Sequence, residues 1–353
     1  MKIIITGACA ISARSIVRSL QISKLFQNAE LIGWDMAATL YGLYEGLCDR
    51  IYKVPAVSDP LYPSVVEEIL KDEKPDAIFV VPEVEVLYWA SCPFEVPHLI
   101  PPFAFCQVAI SKKNLFEALE GYDLVPESFY VFRNEIKADF QSPLDFPVWV
   151  RDCSPGTASG KGSFKAENID ELRAWIIINR TIDHFQVSKF LSGSNYGVFC
   201  LFEKGKLKKL AIVERIEYIM AKAAISGITG NTSKGRMLND VLIRERALKA
   251  IHTVCEKTGS VMHGMVVVDM KADDRGIPHV TEINIRHVSF SSSFAKAGFN
   301  VAEYHLLCAL GRGEEMSDDI EMEYPNNNYI LRDVDGPPIY IPDYQPLEVG
   351  HHT

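Results

Sequence analysis

The chain has 353 residues, of which 48% are hydrophobic and 23% are charged. This length predicts two or three domains, with enough apolar side chains to form a core without disulfides or a structural metal. Lys and Arg number 36 against 46 Asp and Glu, which gives a formal net charge of −10. Binding to nucleic acid backbones requires a clustered basic surface, so we expect no nucleic acid as the main partner.

The cysteines and the N-terminus indicate the compartment. No two of the eight cysteines lie closer than 14 residues, so the chain has no CxxC pair or zinc-ribbon spacing. Isolated cysteines are typical of a reducing compartment. The opening MKIIITGACA lacks the long apolar segment of a signal peptide, and no apolar run approaches the ~20 residues that span a bilayer. We therefore predict a soluble cytoplasmic protein with no membrane partner.

The first 110 residues alternate between strand and helix patterns. Strands that alternate with helices predict a parallel sheet with helical crossovers. We therefore expect a Rossmann-like domain over residues 1–110. The strands are predicted at 2–6, 30–34 and 76–81, and the helices at 12–20 and 65–70.

Two residues of this domain raise a dinucleotide-binding alternative. Gly7 follows the first strand, and Asp35 follows the second at the place of a ribose-binding acid. The complete GxGxxG pattern is missing, and a single glycine at such a turn commonly relieves a tight bend. The alternative interpretation, an NAD-dependent oxidoreductase, rests on Gly7 and Asp35 only.

The rest of the chain predicts two α+β lobes. We assign the first lobe to residues 111–215 and the second, with a C-terminal tail, to residues 216–353. An acidic segment at 314–323 is predicted to be a solvated connection. Strands are predicted at 128–132, 146–151, 186–190, 196–202, 208–213, 264–270 and 279–285, and helices at 111–119, 169–179, 240–258 and 301–310.

A glycine-rich segment follows the predicted strand at 146–151. Between Arg151 and Ser163 the sequence reads RDCSPGTASGKGS. Glycines allow backbone N–H groups to surround phosphate oxygens, and Lys and hydroxyl groups add charge and donors. The spacing does not match GxxxxGK[ST], so this is not a Walker A loop. A flexible hairpin loop is the alternative interpretation.

The predicted hairpin at 264–285 carries the clearest candidate site. Glu282, Asn284 and Arg286 alternate with isoleucines and so project from one face of a strand, and Asp269 lies on the partner strand. Two carboxylates and an amide oxygen are hard ligands suited to Mg²⁺. Arg286 beside them is suited to stabilising a transferring phosphoryl group. A structural ladder of salt bridges is the alternative.

A third segment, residues 186–198, predicts a strand, a glycine turn and a second strand. Apolar residues around such a turn are able to hold a purine. In isolation this is an ordinary hairpin.

Taken in this order, the three segments resemble the ATP-grasp superfamily, which includes carbamoyl phosphate synthetase, biotin carboxylase and D-alanine–D-alanine ligase. The most specific match is Glu282-Ile-Asn284-Ile-Arg286 against the family's E-x-N-x-R, with Asp269 thirteen residues before Glu282. Residues 49–62 and 80–87 resemble the preceding α/β domain of carbamoyl phosphate synthetase-like members, and 112–129 resembles the opening of the ATP-grasp domain itself. The resemblance implies an α/β plus α+β chain: a Rossmann-like domain followed by a two-lobed ATP-grasp fold.

The resemblance also implies a role for individual residues and predicts ATP with Mg²⁺ or Mn²⁺ as cofactors. Arg286 would stabilise the transition state leading to an acyl phosphate. The implied metal ligands are Asp269, Glu282 and Asn284. The implied ATP contacts are Arg151, Ser159, Gly160, Lys161 and Gly162 at the phosphates and Lys189, Phe190, Leu191 and Asn195 at the adenosine.

Two residues depart from the family pattern. Lys189 and Asn195 each stand where the family usually has Glu, and the second Glu binds the ribose. Main-chain recognition of adenine survives such changes, whereas a contact between a carboxylate and the ribose does not. Arg151 replaces a common Lys, as it does in carbamoyl phosphate synthetase.

Candidate substrate contacts are less specific. Glu83 and Glu85 are predicted to end the third strand of the first domain, at the sheet edge where α/β proteins bind ligands. Lys234 and Arg236 belong to a segment, 223–239, predicted to be a loop that either binds an anionic substrate or lies on the surface. His287 follows Arg286 where related proteins often place substrate contacts.

The resemblance implies a carboxylate–amine ligase that produces ADP and takes a small-molecule carboxylate and an amine. The alternative is a nucleotide-binding regulatory protein that has lost catalysis, as Lys189 and Asn195 suggest. Proteins of this kind are commonly homodimers.

Overall fold

A computed structural model describes residues 1–37, 47–154, 162–223, 225–227, 229–333 and 347–352. All eight cysteines lie within these ranges and remain thiols. None of the helices in the described ranges is both long enough and apolar enough to cross a membrane.

The first sheet is parallel, as the alternation of strands and helices predicts. Its strands are β1 (Lys2–Thr6), β2 (Glu30–Asp35), β3 (Arg50–Lys53) and β4 (Ala77–Phe79), in the order β3-β2-β1-β4. The helices of this region are α1 (Ile11–Gln21), α2 (Tyr62–Glu73) and α3 (Glu83–Ser91). Ile3 and Ile5 of β1 share one core with α1, whereas Ile4 belongs to the core on the opposite face. Both faces are therefore buried, which accounts for the continuous apolar run in β1.

The prediction that Glu83 and Glu85 end a strand is wrong. The strand ends at Phe79, and both glutamates lie in the first turn of α3, after Pro82. Acidic side chains are favourable there because the N-terminus of a helix carries a partial positive charge.

A second, antiparallel sheet forms the small lobe. Helices α4 (Phe103–Ala109) and α5 (Lys112–Leu119) lead into it. Its strands are β5 (Ser128–Phe132), β6 (Val148–Asp152), β7 (Phe164–Ala166) and β8 (His184–Lys189), in the order β5-β8-β6-β7. Helix α6 (Ile169–Ile178) begins after Asn168, whose side chain accepts a hydrogen bond from the N–H of Glu171. Leu172 and Ile176 of α6 pack with the inner face of this sheet in a separate core.

The large sheet has six strands. They are β9 (Asn195–Glu203), β10 (Lys206–Tyr218), β11 (Thr232–Leu238), β12 (Gly264–Ala272), β13 (Pro278–Asn284) and β14 (Ile330–Leu331), in the order β13-β12-β9-β10-β11-β14. The accompanying helices are α7 (Val241–Thr258), α8 (Ser291–Lys296) and α9 (Val301–Ala309). One core joins the back of this sheet and α7 to the first domain.

The large sheet corrects two expectations from the sequence. Strands β9 and β10 were assigned to the lobe 111–215, but they pair with β12 and β11 of the large sheet. The change of sheet therefore falls between β8 and β9. Strand β11 also occupies residues 232–238 of the segment 223–239, which was predicted to be a loop.

The acidic segment 314–323 was predicted to be a solvated connection, but its main chain is hydrogen-bonded to the large sheet. Lys209, which is only 1% exposed, donates from Nζ to the carbonyl oxygen of Ser317 at 2.7 Å and to that of Asp319 at 2.5 Å. Most of the acidic side chains around these carbonyls remain exposed. The buried ammonium group of Lys209 thus holds the main chain of the segment, while most of its carboxylates are exposed to solvent.

Candidate functional site

A cleft of about 760 Å³ lies between the small and large sheets and reaches the start of α1. Seven Lys or Arg residues and only two Asp or Glu residues are found among its described lining residues. The cations are Lys112, Arg151, Lys165, Lys189, Arg215, Lys271 and Arg286, and the acids are Asp269 and Glu282. In a chain with a net charge of −10, this local excess of positive charge favours an anionic ligand.

The two acids of the cleft are direct neighbours across β12 and β13. Asp269 and Glu282 are register partners, and Asn284 donates from Nδ2 to Asp269 Oδ2 at 3.3 Å. A bulge after Asp269 shifts the register so that Val280 pairs with Met270 and both remain in the core. The structure therefore brings the three predicted metal ligands together on the cleft side of the sheet.

Arg215 completes this cluster and was missed in the sequence. It lies on β10, one strand beyond β9, and donates from Nη1 to Asp269 Oδ2 at 3.1 Å and from Nη2 to Oδ1 at 2.5 Å. Its side chain crosses Gly197 of β9, where an added Cβ would lie 2.9 Å from Nη2. No local motif signals this contact, because it depends on the order of three strands.

The Gly197→Ala variant is therefore expected to displace Arg215 without disrupting the sheet. The colliding group is the end of a flexible side chain, so we expect the free energy of unfolding to change by less than about 1 kcal/mol. For the ADP-producing activity that the family resemblance implies, misplacement of the guanidinium beside Asp269 should lower substrate-dependent ADP release by about 10²-fold. Thermal melts and initial rates would measure both effects. Ser192→Ala, at an exposed position in the preceding loop, is the control, and unaltered rates in Gly197→Ala would contradict this role for Arg215.

The chemistry of the acidic cluster fits Mg²⁺. Asp269, Glu282 and Asn284 supply hard oxygen donors, and Mg²⁺ commonly binds through one or two carboxylates plus water and phosphate oxygens. Burial raises the pKa of the Asp269 carboxyl, although Arg215 opposes the shift. Among the described residues no group of three or more His, Cys, Asp or Glu forms a metal site. A metal held here would have Asp269, Glu282 and Asn284 as its protein ligands, with water and phosphate oxygens completing the coordination.

Arg286 is positioned by the first domain. Its Nη2 lies 3.4 Å from Glu83 Oε1, and its Nη1 donates to Ser12 Oγ at 3.3 Å and to the His287 carbonyl oxygen at 3.0 Å. Burial raises the pKa of the Glu83 carboxyl. Among the predicted substrate contacts, Glu83 is the one whose side chain the structure places against Arg286, a candidate catalytic residue.

Arg151 connects the two sheets. Its guanidinium donates from Nε to Gln186 Oε1 at 2.7 Å and from Nη1 to the Thr281 carbonyl oxygen at 2.9 Å. These contacts hold its charge at the cleft, where burial lowers its pKa. Gly162 lies at the end of the glycine-rich segment, whereas Ser159, Gly160 and Lys161 fall outside the described residues.

The segment after β8 forms one end of the cleft. The N–H groups of Lys189 and Phe190 donate to the carbonyl oxygens of Glu127 at 2.9 Å and Pro147 at 3.3 Å, which fixes the backbone there. The Phe190 ring lies 6.3 Å from the Trp149 ring, between centroids, and Leu191 is buried. This end therefore offers an apolar wall beside an ordered backbone, as a planar base requires.

Comparison with known proteins identifies the arrangement of sheets. No protein-family model matches the chain, and no curated protein matches it significantly. Among solved structures, an L-amino acid ligase from Bacillus licheniformis superposes with a TM-score of 0.65 at 15% identity, covering 90% of this chain and 77% of its own. An N5-carboxyaminoimidazole synthetase from Staphylococcus aureus complexed with ADP gives 0.62 at 16% identity, covering 94% and 79%. A protein from Archaeoglobus fulgidus ascribed to the ATP-grasp superfamily gives 0.55 at 17%, covering 87% and 88%.

The chain has the ATP-grasp fold. The cleft between its two antiparallel sheets, with Asp269, Glu282 and Asn284 on one wall, is thus part of an ATP-grasp architecture.

None of the five predicted substrate contacts is among the described residues that line the cleft of this ATP-grasp fold. Glu83 lies 3.4 Å from Arg286. Glu85 is buried in the first domain, where its Oε1 accepts from Trp34 Nε1 at 3.0 Å and from the Tyr62 hydroxyl at 2.9 Å. His287 is buried, and burial lowers its pKa to about 3. On β11, Lys234 lies 3.6 Å from Glu217 and Arg236 donates to Glu214 at 3.0 Å. Each of these side chains is thus engaged with a neighbouring group of the protein.

The turn after β1 does not support the dinucleotide alternative. A Cβ at Gly7 would lie 2.6 Å from Pro82 Cγ, so the glycine permits a close approach within the domain. Asp35 accepts hydrogen bonds from the N–H groups of Cys9 at 2.9 Å and Ala37 at 2.7 Å. Both residues therefore have structural roles that account for their presence.

Proposed function

We propose that the chain is an ATP-dependent ligase that joins a carboxylate to an amine through an acyl phosphate. The observation that carries this proposal is the Asp269–Glu282–Asn284 face in a cationic cleft, with Arg286 also lining that cleft. The structural neighbours, which include an amino acid ligase and a carboxyaminoimidazole synthetase, support a ligase. The parallel sheet supports the Rossmann-like interpretation of residues 1–110.

The proposal gives each part of the cleft a role. The segment 189–191 would hold the base, and Arg151 with residues 159–162 would contact the phosphates. Asp269, Glu282 and Asn284 would hold Mg²⁺ or Mn²⁺, which when bound offsets charge on the phosphate oxygens. Glu83, which lies 3.4 Å from Arg286, would orient that side chain.

The reaction would proceed in two displacements. A carboxylate oxygen attacks the γ-phosphorus of ATP, the bond to the bridging oxygen breaks, and ADP leaves. The amine nitrogen then attacks the acyl carbon, inorganic phosphate leaves with the bonding pair, and the nitrogen loses a proton. Arg286 offsets the charge of the transferring group in the first step, and positioning of the reactants in the cleft supplies much of the acceleration.

The proposal is tested by nucleotide binding and by turnover. Mg·ATP is expected to raise the melting temperature, because a ligand that binds the native state stabilises it by mass action. Glu282→Ala should abolish ADP release that depends on carboxylate and amine while the protein stays folded. Glu217→Ala, which removes a 62% exposed acid on β10 of the same sheet, is the matched control. Retained turnover in Glu282→Ala would overturn the assignment.

A second candidate is a nucleotide-binding regulatory protein without catalysis. Lys189 is exposed, and Asn195 Oδ1 accepts from Lys271 Nζ at 3.4 Å, so neither position offers the nucleotide a carboxylate. Mg²⁺-dependent ATP binding without turnover across a broad screen of carboxylates and amines would favour this function.

A further inference from the structure

Arg332 reaches the wall of the cleft from the far edge of the large sheet and has no role in the proposed reaction. It follows β14, the edge strand, and its N–H donates to the carbonyl oxygen of Ser233 at 2.7 Å. The half-buried side chain donates from Nη1 to the Thr232 carbonyl oxygen and to Ser289 Oγ, each at 3.3 Å. Ser289 lines the cleft. The guanidinium group thus lies directly behind a lining residue.

The charge of Arg332 is not neutralised by the protein. In the cleft, Arg215 pairs with Asp269 and Arg286 lies 3.4 Å from Glu83, but no carboxylate of the described residues pairs with Arg332. Burial and the nearby positive charge of Arg18 lower the pKa of Arg332 to about 10. A guanidinium has five N–H donors, and the two neutral oxygens occupy only those of Nη1. The donors of Nε and Nη2 remain for an anion.

Two serine hydroxyls of the cleft also have a donor to offer. Ser289 Oγ accepts from Arg332, and Ser12 Oγ accepts from Arg286 Nη1 at 3.3 Å. Neither hydroxyl donates to another group among the described residues. Both serines line the cleft, so each hydroxyl proton is available to an acceptor bound there. Each serine therefore forms a pair of donors with its arginine.

Helix α1 sets the distance between these two pairs of donors. Ser12 and Ser15 are three residues apart on α1, which places their Cβ atoms on one side of the helix, about 5–6 Å from each other. Ser15 Oγ lies 3.0 Å from the Ser289 carbonyl oxygen and accepts from the N–H of Ser292 at 2.7 Å. The helix thus holds Ser289 about one turn away from Ser12. Two anionic groups bound at these positions would lie a few bonds apart in one small molecule.

We infer that the carboxylate substrate carries a second anionic group, which Arg332 and Ser289 bind. This inference rests on the proposed function, in which the reacting carboxylate lies beside Arg286. Oxygen atoms of a carboxylate or a phosphate accept from both donors, and hydrogen bonds to such charged groups are the stronger ones. A methyl group at the same place would leave the guanidinium unpaired. The substrate class is therefore a short dianion.

Hydroxylamine is the probe for the acyl phosphate of such an acid. Its nitrogen attacks the acyl carbon, inorganic phosphate leaves with the bonding pair, the nitrogen loses a proton, and a hydroxamate forms. Succinate and glutarate are compared with butanoate and pentanoate, which have the same chain lengths but end in a methyl group. 3-Phosphonopropanoate tests a phosphonate in place of the second carboxylate. With Mg·ATP and wild-type protein, we expect kcat/KM of a dianion to exceed that of its monoanionic partner at least about tenfold.

Variants of the two donors test whether Arg332 causes this preference. Arg332→Met should remove it by raising KM for the dianion, and Arg332→Lys, which retains the charge, should keep part of it. Ser289→Ala should reduce the preference less, because it removes one neutral donor. Arg312→Met is the matched control: Arg312 is not among the described residues that line the cleft, and it pairs with Glu315 at 2.6 Å. A melting temperature of Arg332→Met close to that of the wild type would show that the variant is folded.

The outcomes separate this inference from the proposed function. Equal kcat/KM for the members of each pair in the wild type, or a preference that Arg332→Met retains, would overturn the role of Arg332 while hydroxamate formation upholds the ligase. A higher kcat/KM for 3-phosphonopropanoate than for succinate, lost in Arg332→Met, would identify the second group as a phosphate. Absence of hydroxamate with every acid, although Mg·ATP raises the melting temperature, would overturn the ligase and the inference with it.

Discussion

The Arg286→Ala variant is expected to release ADP at least about 10³-fold more slowly than the wild-type protein. Arg286 is oriented by Glu83 and Ser12 of the first domain, and its side chain lines the cleft beside Asn284. A guanidinium placed against a transferring phosphoryl group stabilises charge that develops mainly in the transition state. The loss should therefore appear in kcat, measured with a carboxylate and amine pair that supports turnover.

Measuring nucleotide binding by Arg286→Ala distinguishes a loss of catalysis from a loss of folding. Because the metal and base positions are unaltered in Arg286→Ala, the Mg·ATP-dependent rise in melting temperature should remain. Arg286→Lys retains the charge but loses the planar pair of donors, so its rate should be intermediate. Arg275→Ala is the control, since Arg275 is 75% exposed in the turn between β12 and β13. A rate for Arg286→Ala within tenfold of wild type would exclude Arg286 as a catalytic residue.

The Glu85→Gln variant is expected to gain stability relative to wild type as the pH rises. Burial raises the pKa of Glu85 to about 7, from the 4.5 that is ordinary for a glutamate in water. The folded protein therefore binds a proton that the unfolded chain has lost, and the stabilisation present below pH 4.5 disappears as the pH rises through 7. The shift corresponds to about 3 kcal/mol in the free energy of unfolding. Urea titrations of both proteins between pH 4.5 and 8 would give the difference in their free energies of unfolding. The contributions of the other titrating groups are the same in both proteins and cancel in this difference.

Glu73 provides a control of opposite sign. Its hydrogen bonds with Arg50 lower the pKa of Glu73 to about 2, so its contribution is present above pH 4.5 and is lost as the pH falls towards 2. Glu73→Gln should therefore be less stable than wild type at pH 7, and the deficit should shrink in acid. A difference between Glu85→Gln and wild type that does not change with pH would show that Glu85 ionises normally in the core.

Much of the candidate site follows from local spacing. In an extended strand alternate side chains share a face, so Glu282, Asn284 and Arg286 were placed together before any tertiary contact was known. The Asp/Gly turn at 273–276 then joins this strand to the one carrying Asp269. Local patterns of this kind are reliable because each side chain's direction is set by its own backbone.

The sequence was less informative in short segments whose apolar residues follow neither the strand period nor the helix period clearly. Glu83 and Glu85 were predicted to end the third strand of the first domain, whereas they lie in the first turn of α3. The alternation of acids and valines at 83–86 does not by itself distinguish a strand from a helix. The contact between Lys209 and the 314–323 segment joins residues about a hundred positions apart, and no composition signal indicates it. Such contacts depend on packing between elements rather than on local conformation.

The sequence by itself determined the alternation of strands and helices in the first domain and the face that carries Glu282, Asn284 and Arg286. Both follow from periodicity, which is a property of neighbouring residues. Only the tertiary structure decided that β9 separates β10 from β12, that Gly197 lets Arg215 reach Asp269, and that Lys271 lies under the loop at Gly193. Strand order is set by the burial of whole sheet faces, so contacts across three strands are absent from any local pattern.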